Sequence, residues 1–168
     1  MGKTLFIVRH GKAKSTEIGM KDIDRKLAPE GLQLSSRLGV YLYKNNIEIS
    51  AIVCSNAIRA VQTAELIADQ IKYDISKINI DPELYEASLR SLVNKICSFS
   101  SDWNEVIVVG HNPVLSYFVE YLTGHHFDGM EAGSLVKITS VVEDWEMLSK
   151  ENASFEYYVS PEDFETKY

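Results

Sequence analysis

The sequence predicts an α/β fold in which helices cover both faces of a mostly parallel sheet. Short apolar runs alternate with amphipathic helical patterns, each run ends abruptly in polar residues, and the last third of the chain is rich in strand signals. Alternation of this kind builds parallel strands through helical crossovers, and later strands add antiparallel edges. The 168 residues suit one core, so we expect a single domain over 1–168 without a large lid insertion.

Composition excludes several classes of protein. Hydrophobic residues make up 45% and charged residues 24%, as in an ordinary globular protein. No apolar run approaches the ~20 residues of a membrane helix, and a strand begins too early for a signal peptide, so we expect a cytoplasmic protein with no membrane partner. The formal net charge of -7 argues against nucleic-acid binding. Cys54 and Cys97 are too few for a disulfide framework.

The first strand carries the most informative residues of the chain. Leu5 to Val8 form an apolar run typical of a strand buried on both faces. Arg9 and His10 follow directly, and Gly11 then permits a tight backbone turn. Because open α/β sheets bind ligands at the carboxyl ends of their strands, Arg9 and His10 are candidates for an anion site.

A loop and a helix follow this strand. Residues 12–27 are polar and without period, which predicts a mobile loop whose lysines could guide an anion. Pro29 and Glu30 suit a first helical turn, and the helix is expected to end near Asn45. Its apolar face repeats at helical spacing through Leu34, Leu38, Tyr41 and Leu42.

The second strand and helix repeat this arrangement. Ile49 to Cys54 is a β-branched apolar run, and Asn56 is a candidate N-cap for the helix after it. Arg59 then falls in the first helical turn, where the unpaired N–H groups already favour anions. Arg59 therefore concentrates positive potential at one point, although an arginine lying over the helix surface would also fit the pattern.

A third strand over 78–81 precedes two carboxylates, Glu83 and Glu86. Ser88 is a candidate N-cap for a helix that continues to about Phe99. The carboxylates therefore lie after a strand end, where the other polar candidates also lie.

The fourth strand is predicted over Val106 to Val109 and ends in Gly110-His111-Asn112-Pro113. Asn112 precedes proline, so it is expected to be the N-cap, with Pro113 as the first helical residue. His111 is then held at a strand-to-helix turn, as His10 follows the first strand.

The C-terminal part is predicted to be β-rich. Strand signals cover 135–142, 145–148 and 155–159, and a turn over 150–153 would join the last two into a hairpin.

Polar residues thus follow predicted parallel strands four times, which would bring them to one sheet edge. The set consists of Arg9, His10, Arg59, His111 and one of Glu83 or Glu86. Two guanidinium groups can fork onto phosphoryl oxygens, one histidine can act as a nucleophile, and the other can donate to developing charge. The combination indicates a phosphoryl-transfer site.

Other phosphate chemistries fit the residues less well. Gly11-Lys12 lacks the other elements of a P-loop. Cys54 and Arg59 have four intervening residues, one fewer than the thiolate phosphatases that resemble C-x5-R. The adjacent histidines His125 and His126 point to different faces of any regular element. We therefore expect neither a metal site nor a bound cofactor.

Four segments in order resemble the histidine phosphatase superfamily, in the branch named for the phosphohistidine phosphatase SixA. They read LFIVRHGKA, SNAIRAVQTAE, LYEA and VVGHNP, and DIDRKLAPEGLQ resembles the family's stretch before its first helix. The resemblance covers about residues 4–123 and implies a phosphoglycerate mutase-like α/β/α sandwich. It departs from the family at Ala13, where a threonine is common, and at Ala28, where a hydroxyl cap is usual.

The resemblance also implies roles for individual residues. His10 would be the nucleophile that is transiently phosphorylated, and Arg9, Arg59 and His111 would bind the substrate phosphate. Glu86 matches the family's general acid better than Glu83, although SixA-like members often lack a fixed acid. His10 must be neutral to attack, whereas His111 is best protonated to donate.

The expected function is removal of phosphate from a phosphohistidine on a protein, such as a histidine phosphotransfer domain. A phosphohistidine leaves as neutral imidazole and needs less help from an acid than an ester does. The alternatives are a small-molecule phosphomonoesterase of the same superfamily and a phospho-binding module without turnover. The need for Glu86 distinguishes the phosphohistidine phosphatase from the phosphomonoesterase, because an alkoxide leaving group needs a proton donor.

Overall fold

A computed structural model describes residues 2–165 of the chain. Within them lies a six-stranded sheet in the order β3-β2-β4-β1-β5-β6. Strands β3, β2, β4 and β1 are parallel, whereas β5 and β6 are antiparallel additions beside β1. The strands are β1 (Lys3–Arg9), β2 (Ala51–Ser55), β3 (Asn79–Asp81), β4 (Glu105–Gly110), β5 (Leu135–Ser140) and β6 (Ala153–Val159).

Helices cover both faces of this sheet. The α-helices are α1 (Pro29–Lys44), α2 (Ile58–Ile71), α3 (Leu89–Cys97), α4 (Val114–Thr123) and the short α5 (Pro161–Glu165). Helices α1, α2 and α5 pack on one face, around a core that includes Phe6 and Ile107. Helices α3 and α4 pack on the other face, around Leu5 and Val106. The predicted three-layer α/β/α sandwich with a mostly parallel sheet is confirmed. Within residues 2–165, no helix combines the length and apolarity required to cross a membrane.

Two helix starts follow the predicted chemistry. Ser88 is the N-cap of α3, and its hydroxyl accepts a hydrogen bond from the Ser91 backbone N–H at 3.1 Å. Helix α1 begins at Pro29 behind Ala28, which has no side chain able to cap. A hydroxyl cap at this position would contribute ~1 kcal/mol to stability.

Two other helix starts were each predicted one residue too early. The N-cap of α2 is Ala57, not Asn56, and the hydroxyl of Ser55 accepts the Ala57 N–H at 3.2 Å. Helix α4 begins at Val114, and the side-chain amide of Asn112 donates to the Met130 carbonyl at 3.0 Å. Asn112 therefore makes a tertiary contact that its position before proline did not indicate.

The predicted C-terminal hairpin was wrong. Trp145–Met147 is a 3₁₀ turn, and β6 pairs with β5 rather than with that segment. The indole N–H of Trp145 donates to the Trp103 carbonyl at 2.8 Å, and both Trp145 and Leu148 are buried. The spacing of these two side chains suits one helical turn better than an alternating strand.

The segment over 12–27 is a loop, but it lacks the free backbone expected of a mobile one. Ala13 and Leu27 form an isolated antiparallel bridge, and the Leu27 N–H donates to the Gln62 side chain on α2 at 2.8 Å. Asp22–Asp24 form a 3₁₀ turn in its middle. The loop is therefore fastened at its base to the helix that carries Arg59.

Gly11 is required for close packing rather than for an unusual backbone angle. A Cβ at this position would lie 2.8 Å from the Ser35 hydroxyl and 3.0 Å from the Gly31 carbonyl, both on α1. The Gly11 N–H donates to the Thr63 hydroxyl on α2 at 3.0 Å. The residue after His10 is thus wedged between two helices, which fixes where the imidazole emerges.

Candidate active site

The carboxyl ends of the parallel strands bring the two predicted catalytic histidines together. The His10 N–H donates to the Gly110 carbonyl at 3.1 Å, which couples the end of β1 to the end of β4. The ring centroids of His10 and His111 lie 5.0 Å apart. Residues separated by about a hundred positions in the sequence therefore share one pocket, as the strand pattern predicts.

His10 has one ring nitrogen held and the other directed at Arg59. Its Nδ1 lies 2.7 Å from the Gly11 carbonyl oxygen, which can only accept, so Nδ1 carries the proton. Its Nε2 accepts a hydrogen bond from Arg59 Nε at 3.2 Å. Burial, followed by the charges of the nearby arginines, lowers the pKa of His10 to about 4 despite the opposing bond to Gly11. Near neutral pH, Nε2 is therefore unprotonated and keeps the electron pair that attack on phosphorus requires.

Arg59 is nearly enclosed and lies in the first turn of α2, as predicted. Its side chain is only 7% exposed. Besides the bond to His10, its two terminal nitrogens donate to the Asp22 carbonyl at 2.8 Å and to Asp22 Oδ2 at 2.9 Å. Nε2 of His10, the predicted nucleophile, is thus in direct contact with the Arg59 guanidinium.

Arg9 is the last residue of β1 and has spare hydrogen-bonding capacity. One terminal nitrogen donates to the Met130 carbonyl at 2.7 Å. Its Nε is buried and has no hydrogen-bond partner among the described residues. Leaving a buried donor unpaired costs on the order of 1–3 kcal/mol, so an acceptor placed there would be stabilised.

His111 is buried and pairs with β2. Its Nε2 lies 2.8 Å from the Ser55 hydroxyl. Burial, followed by the neighbouring His10 and Arg59, lowers the pKa of His111 to about 3. Both histidines are therefore neutral near pH 7, whereas the sequence predicted a neutral His10 and a protonated His111. A phosphoryl group between them would supply the negative charge that raises the pKa of His111.

The two candidate acids occupy different places. Glu83 lies 3.0 Å from Lys95 Nζ on α3, and its side chain is 74% exposed. Glu86 is also exposed, but it lines a cavity of about 400 Å³ that His111 shares with Tyr85, Pro113 and Tyr117. Of the two carboxylates, Glu86 is the one placed in a cavity with His111.

Sequence reasoning missed Asp22 and Tyr85. Asp22 lies in the loop that was predicted to be mobile, yet its Oδ2 accepts from Arg59 and from the Tyr85 hydroxyl, the latter at 2.5 Å. The Tyr85 ring also lies edge-on to His111, with centroids 5.5 Å apart. The Asp-x-x-Arg spacing of Asp22 and Arg25 was the available signal, because it places both at one short turn.

The thiol of Cys54 is excluded as a nucleophile by its burial and its pKa. Cys54 is fully buried in β2, and burial raises the pKa of its thiol to about 12. Thiolate chemistry needs a depressed pKa and access to substrate. Among residues 2–165, no group of three or more potential metal ligands comes together.

Comparison with known proteins gives the chain a family and a fold. Residues 5–93 match the model of the Histidine phosphatase superfamily (branch 1). An uncharacterized protein of Mycobacterium leprae is 27% identical over 140 residues, which cover 79% of this chain and 84% of that protein.

Solved structures show the same fold. SixA from Nakamurella multipartitia has a TM-score of 0.82 at 23% identity, covering 96% of this chain and 97% of that one. The protein histidine phosphatase SixA in complex with tungstate has a TM-score of 0.80, also at 23% identity, covering 94% and 97%. A mycobacterial glucosyl-3-phosphoglycerate phosphatase is similar at a TM-score of 0.71 and 15% identity, covering 95% and 100%.

Proposed function

Because the chain belongs to the histidine phosphatase superfamily, we propose that it is a phosphatase acting through a phosphorylated His10. One observation carries the proposal: the unprotonated Nε2 of His10 faces Arg59 Nε at 3.2 Å, while the Gly11 carbonyl holds the opposite ring nitrogen. The nucleophile and a donor for the transferring group are therefore adjacent and oriented before substrate arrives.

The reaction has two displacements at phosphorus. The electron pair of His10 Nε2 forms a P–N bond as the bond from phosphorus to the leaving group breaks. An imidazole whose other ring nitrogen carries a proton departs neutral without further proton transfer, whereas an ester oxygen takes a proton from Glu86 or from water. Water then attacks the phosphohistidine, the P–N bond breaks, and inorganic phosphate and neutral His10 are restored. The bond between Nδ1 and Gly11 keeps the ring in the same tautomer through both steps.

Arg9, Arg59 and His111 are proposed to bind the phosphoryl oxygens. Arg9 contributes guanidinium N–H groups other than the one that the Met130 carbonyl accepts, and Arg59 contributes the Nε–H that now faces His10. Each charge-assisted hydrogen bond to such a group contributes on the order of 1.5–3 kcal/mol. Because the guanidinium groups already supply positive charge, we propose that turnover needs no metal.

We propose a phosphohistidine on a protein as the substrate. The carboxylate available on the leaving-group side, Glu86, is exposed rather than enclosed, which suits a leaving group that departs as neutral imidazole. The similarity to SixA structures, which align over nearly their whole length without a large insertion, also supports an open site for a side chain of another protein.

A small phosphomonoester is the second candidate. Glu86 lies in the cavity that borders His111, where it could protonate an ester oxygen. The similarity in fold to the glucosyl-3-phosphoglycerate phosphatase also favours this candidate. In either case we propose one catalytic domain over 1–168, and the cytoplasmic location stays a prediction.

The test compares two substrates with two variants. A ³²P-phosphorylated histidine phosphotransfer protein and p-nitrophenyl phosphate are each incubated with the parent protein, His10→Ala and His126→Ala. His126 is an exposed histidine that pairs with Glu120, so it serves as the matched control. We expect the parent and His126→Ala to release phosphate from the phosphoprotein and to carry an acid-labile label, and His10→Ala to do neither.

Two outcomes would change the proposal. Release from p-nitrophenyl phosphate alone would favour the phosphomonoesterase. Absence of release from both substrates, with no labelled protein, would leave a phospho-binding module as the explanation.

A further inference from the structure

Asp22 is tied to the proposed site more closely than any other loop residue described. Its Oδ2 accepts from Arg59 at 2.9 Å and from the Tyr85 hydroxyl at 2.5 Å, and its Oδ1 accepts from Arg25 at 3.0 Å. Its backbone carbonyl accepts a further bond from Arg59 at 2.8 Å. One residue of an exposed turn thus gathers two arginines and a tyrosine at the mouth of the pocket.

These bonds determine which part of Arg59 faces the reacting nitrogen. A guanidinium group carries five N–H donors in a rigid plane. Asp22 takes one donor from each terminal nitrogen, and His10 receives the Nε–H at 3.2 Å. One donor on each terminal nitrogen remains for other acceptors. Because the group is planar, holding its far end at Asp22 sets the direction of the Nε edge.

Asp22 itself is not suited to deliver a proton. The hydroxyl of Tyr85, followed by Arg25 and Arg59, holds the pKa of the Asp22 carboxyl well below its usual range. The carboxylate therefore stays ionised throughout the pH range of the reaction. Its contribution must come through the groups that it holds.

We propose that Asp22 is a positioning residue: it holds Arg59 so that the Nε edge of the guanidinium faces the phosphoryl group during transfer. This inference rests on the proposed phosphatase function. Without the Asp22 carboxylate, the terminal nitrogen of Arg59 that Oδ2 now holds is free to turn toward a bound phosphate. The substrate phosphate then binds as tightly as before or more tightly in the ground state, while the Arg59 donor loses the alignment that stabilises the transition state.

The kinetic test uses neighbouring acidic residues of one turn. Asp22→Asn keeps the size of the side chain but replaces one of its two acceptor oxygens by an NH2 group. Arg25 and Arg59 now use one oxygen each, so one of them loses its acceptor. Asp24→Asn makes the same change of charge two residues away, at an exposed side chain. We expect Asp22→Asn to lower kcat by about tenfold or more without raising KM, because misorientation affects the reacting geometry. Asp24→Asn should behave like the parent.

Tyr85→Phe is a second, milder variant. It removes the hydroxyl that donates to Asp22 and keeps the ring that lies against His111. We expect a loss of kcat in the same direction but smaller. The positioning role is refuted if Asp22→Asn raises KM and leaves kcat unchanged. It is also refuted if Asp22→Asn has the same kcat and the same KM as Asp24→Asn.

A binding measurement tests the inference even if the parent has no turnover. Vanadate adopts the five-coordinate geometry of the transferring phosphoryl group, whereas inorganic phosphate resembles the product, and both can be titrated calorimetrically. We expect Asp22→Asn to lower the ratio of vanadate to phosphate affinity by about tenfold, since transition-state analogues depend most on aligned donors. An unchanged ratio refutes the role of Asp22, whereas an inactive parent with a lowered ratio refutes only the proposed turnover.

Discussion

The buried pocket and the rim after β3 differ in how firmly they are held. His10 and His111 are fixed through the ends of β1 and β4, and Arg59 is 7% exposed with three hydrogen-bonded groups around it. Glu86 is exposed and follows the short edge strand β3. The groups proposed to handle phosphorus are therefore anchored by the core, while the leaving-group side is open.

This difference has a physical origin in the sheet. The strands β1 and β4 have neighbours on both sides, and the Gly133 N–H donates at 3.0 Å to the carbonyl oxygens of both Arg9 and His10. Strand β3 has only β2 beside it. We therefore expect substitutions at the rim to change substrate choice without disturbing His10, the proposed nucleophile.

The strongest expected effect is at the anchored side. Arg59→Ala should lower turnover by ~10²-fold or more for every substrate, because it removes a donor aimed at developing charge. Arg90→Ala, at an exposed position on α3, is the matched control and should retain the parent rate. Steady-state kinetics with p-nitrophenyl phosphate and with the phosphoprotein provide the measurement. Equal rates for the two variants would remove Arg59 from the site.

Acid should destabilise the folded protein through the two histidines of the buried pocket. The folded pKa values of His10 and His111, about 4 and about 3, lie below the ordinary value of 6.5. As pH falls below 6.5, the unfolded chain therefore binds protons that the folded protein does not. Between about pH 7 and about pH 5 the free energy of unfolding should fall by about 2 kcal/mol for each histidine.

Chemical unfolding at the two pH values measures this loss. His111→Gln can keep a hydrogen bond to Ser55 but no longer titrates, so it should lose about half as much stability on acidification as the parent. His126→Gln, at an exposed position, should match the parent. Parallel pH dependence in all three proteins would contradict the lowered pKa of His111.

The smallest effect, and the one most dependent on substrate, belongs to the rim. Glu86→Gln should lower hydrolysis of a phosphate ester such as phosphoserine by about tenfold or more, since an alkoxide needs a proton donor. Hydrolysis of the phosphoprotein should change little. Glu83→Gln is the control, because Glu83 pairs with Lys95. Equal losses with both substrates would refute the leaving-group argument, and no loss with either would remove Glu86 from the reaction.

Sequence patterns predicted the parts of the fold that depend on local chemistry. Apolar runs located β1, β2 and β4, and from that alone follows the placement of Arg9 at the end of its strand and of His10 and His111 just after theirs. Arg59 was found because it lies in the first turn of α2 whether the N-cap is Asn56, as predicted, or Ala57, as observed. The rule that open α/β sheets bind ligands at the carboxyl ends of their strands depends on the order of the elements and not on their precise boundaries.

Long-range partners were the parts that sequence could not supply. Asp22 looks like any charged loop residue until the fold brings Tyr85, 63 positions away, to its carboxylate. Trp145 reads as a strand residue until the Trp103 carbonyl is seen beside it, 42 positions away. Neither partner follows from periodicity, because each depends on how separate elements meet in space.

The contact between the two tryptophans makes the protein's own fluorescence a selective reporter. Trp103 and Trp145 are the two tryptophans of the chain, and Trp103 lies just before β4, whereas His111 lies just after it. A six-residue strand spans ~20 Å, so both indoles lie at the end of the sheet opposite His111 and the proposed phosphate pocket. Their emission should change when the core opens and stay constant when an anion binds, which separates unfolding from ligand binding in a single optical signal.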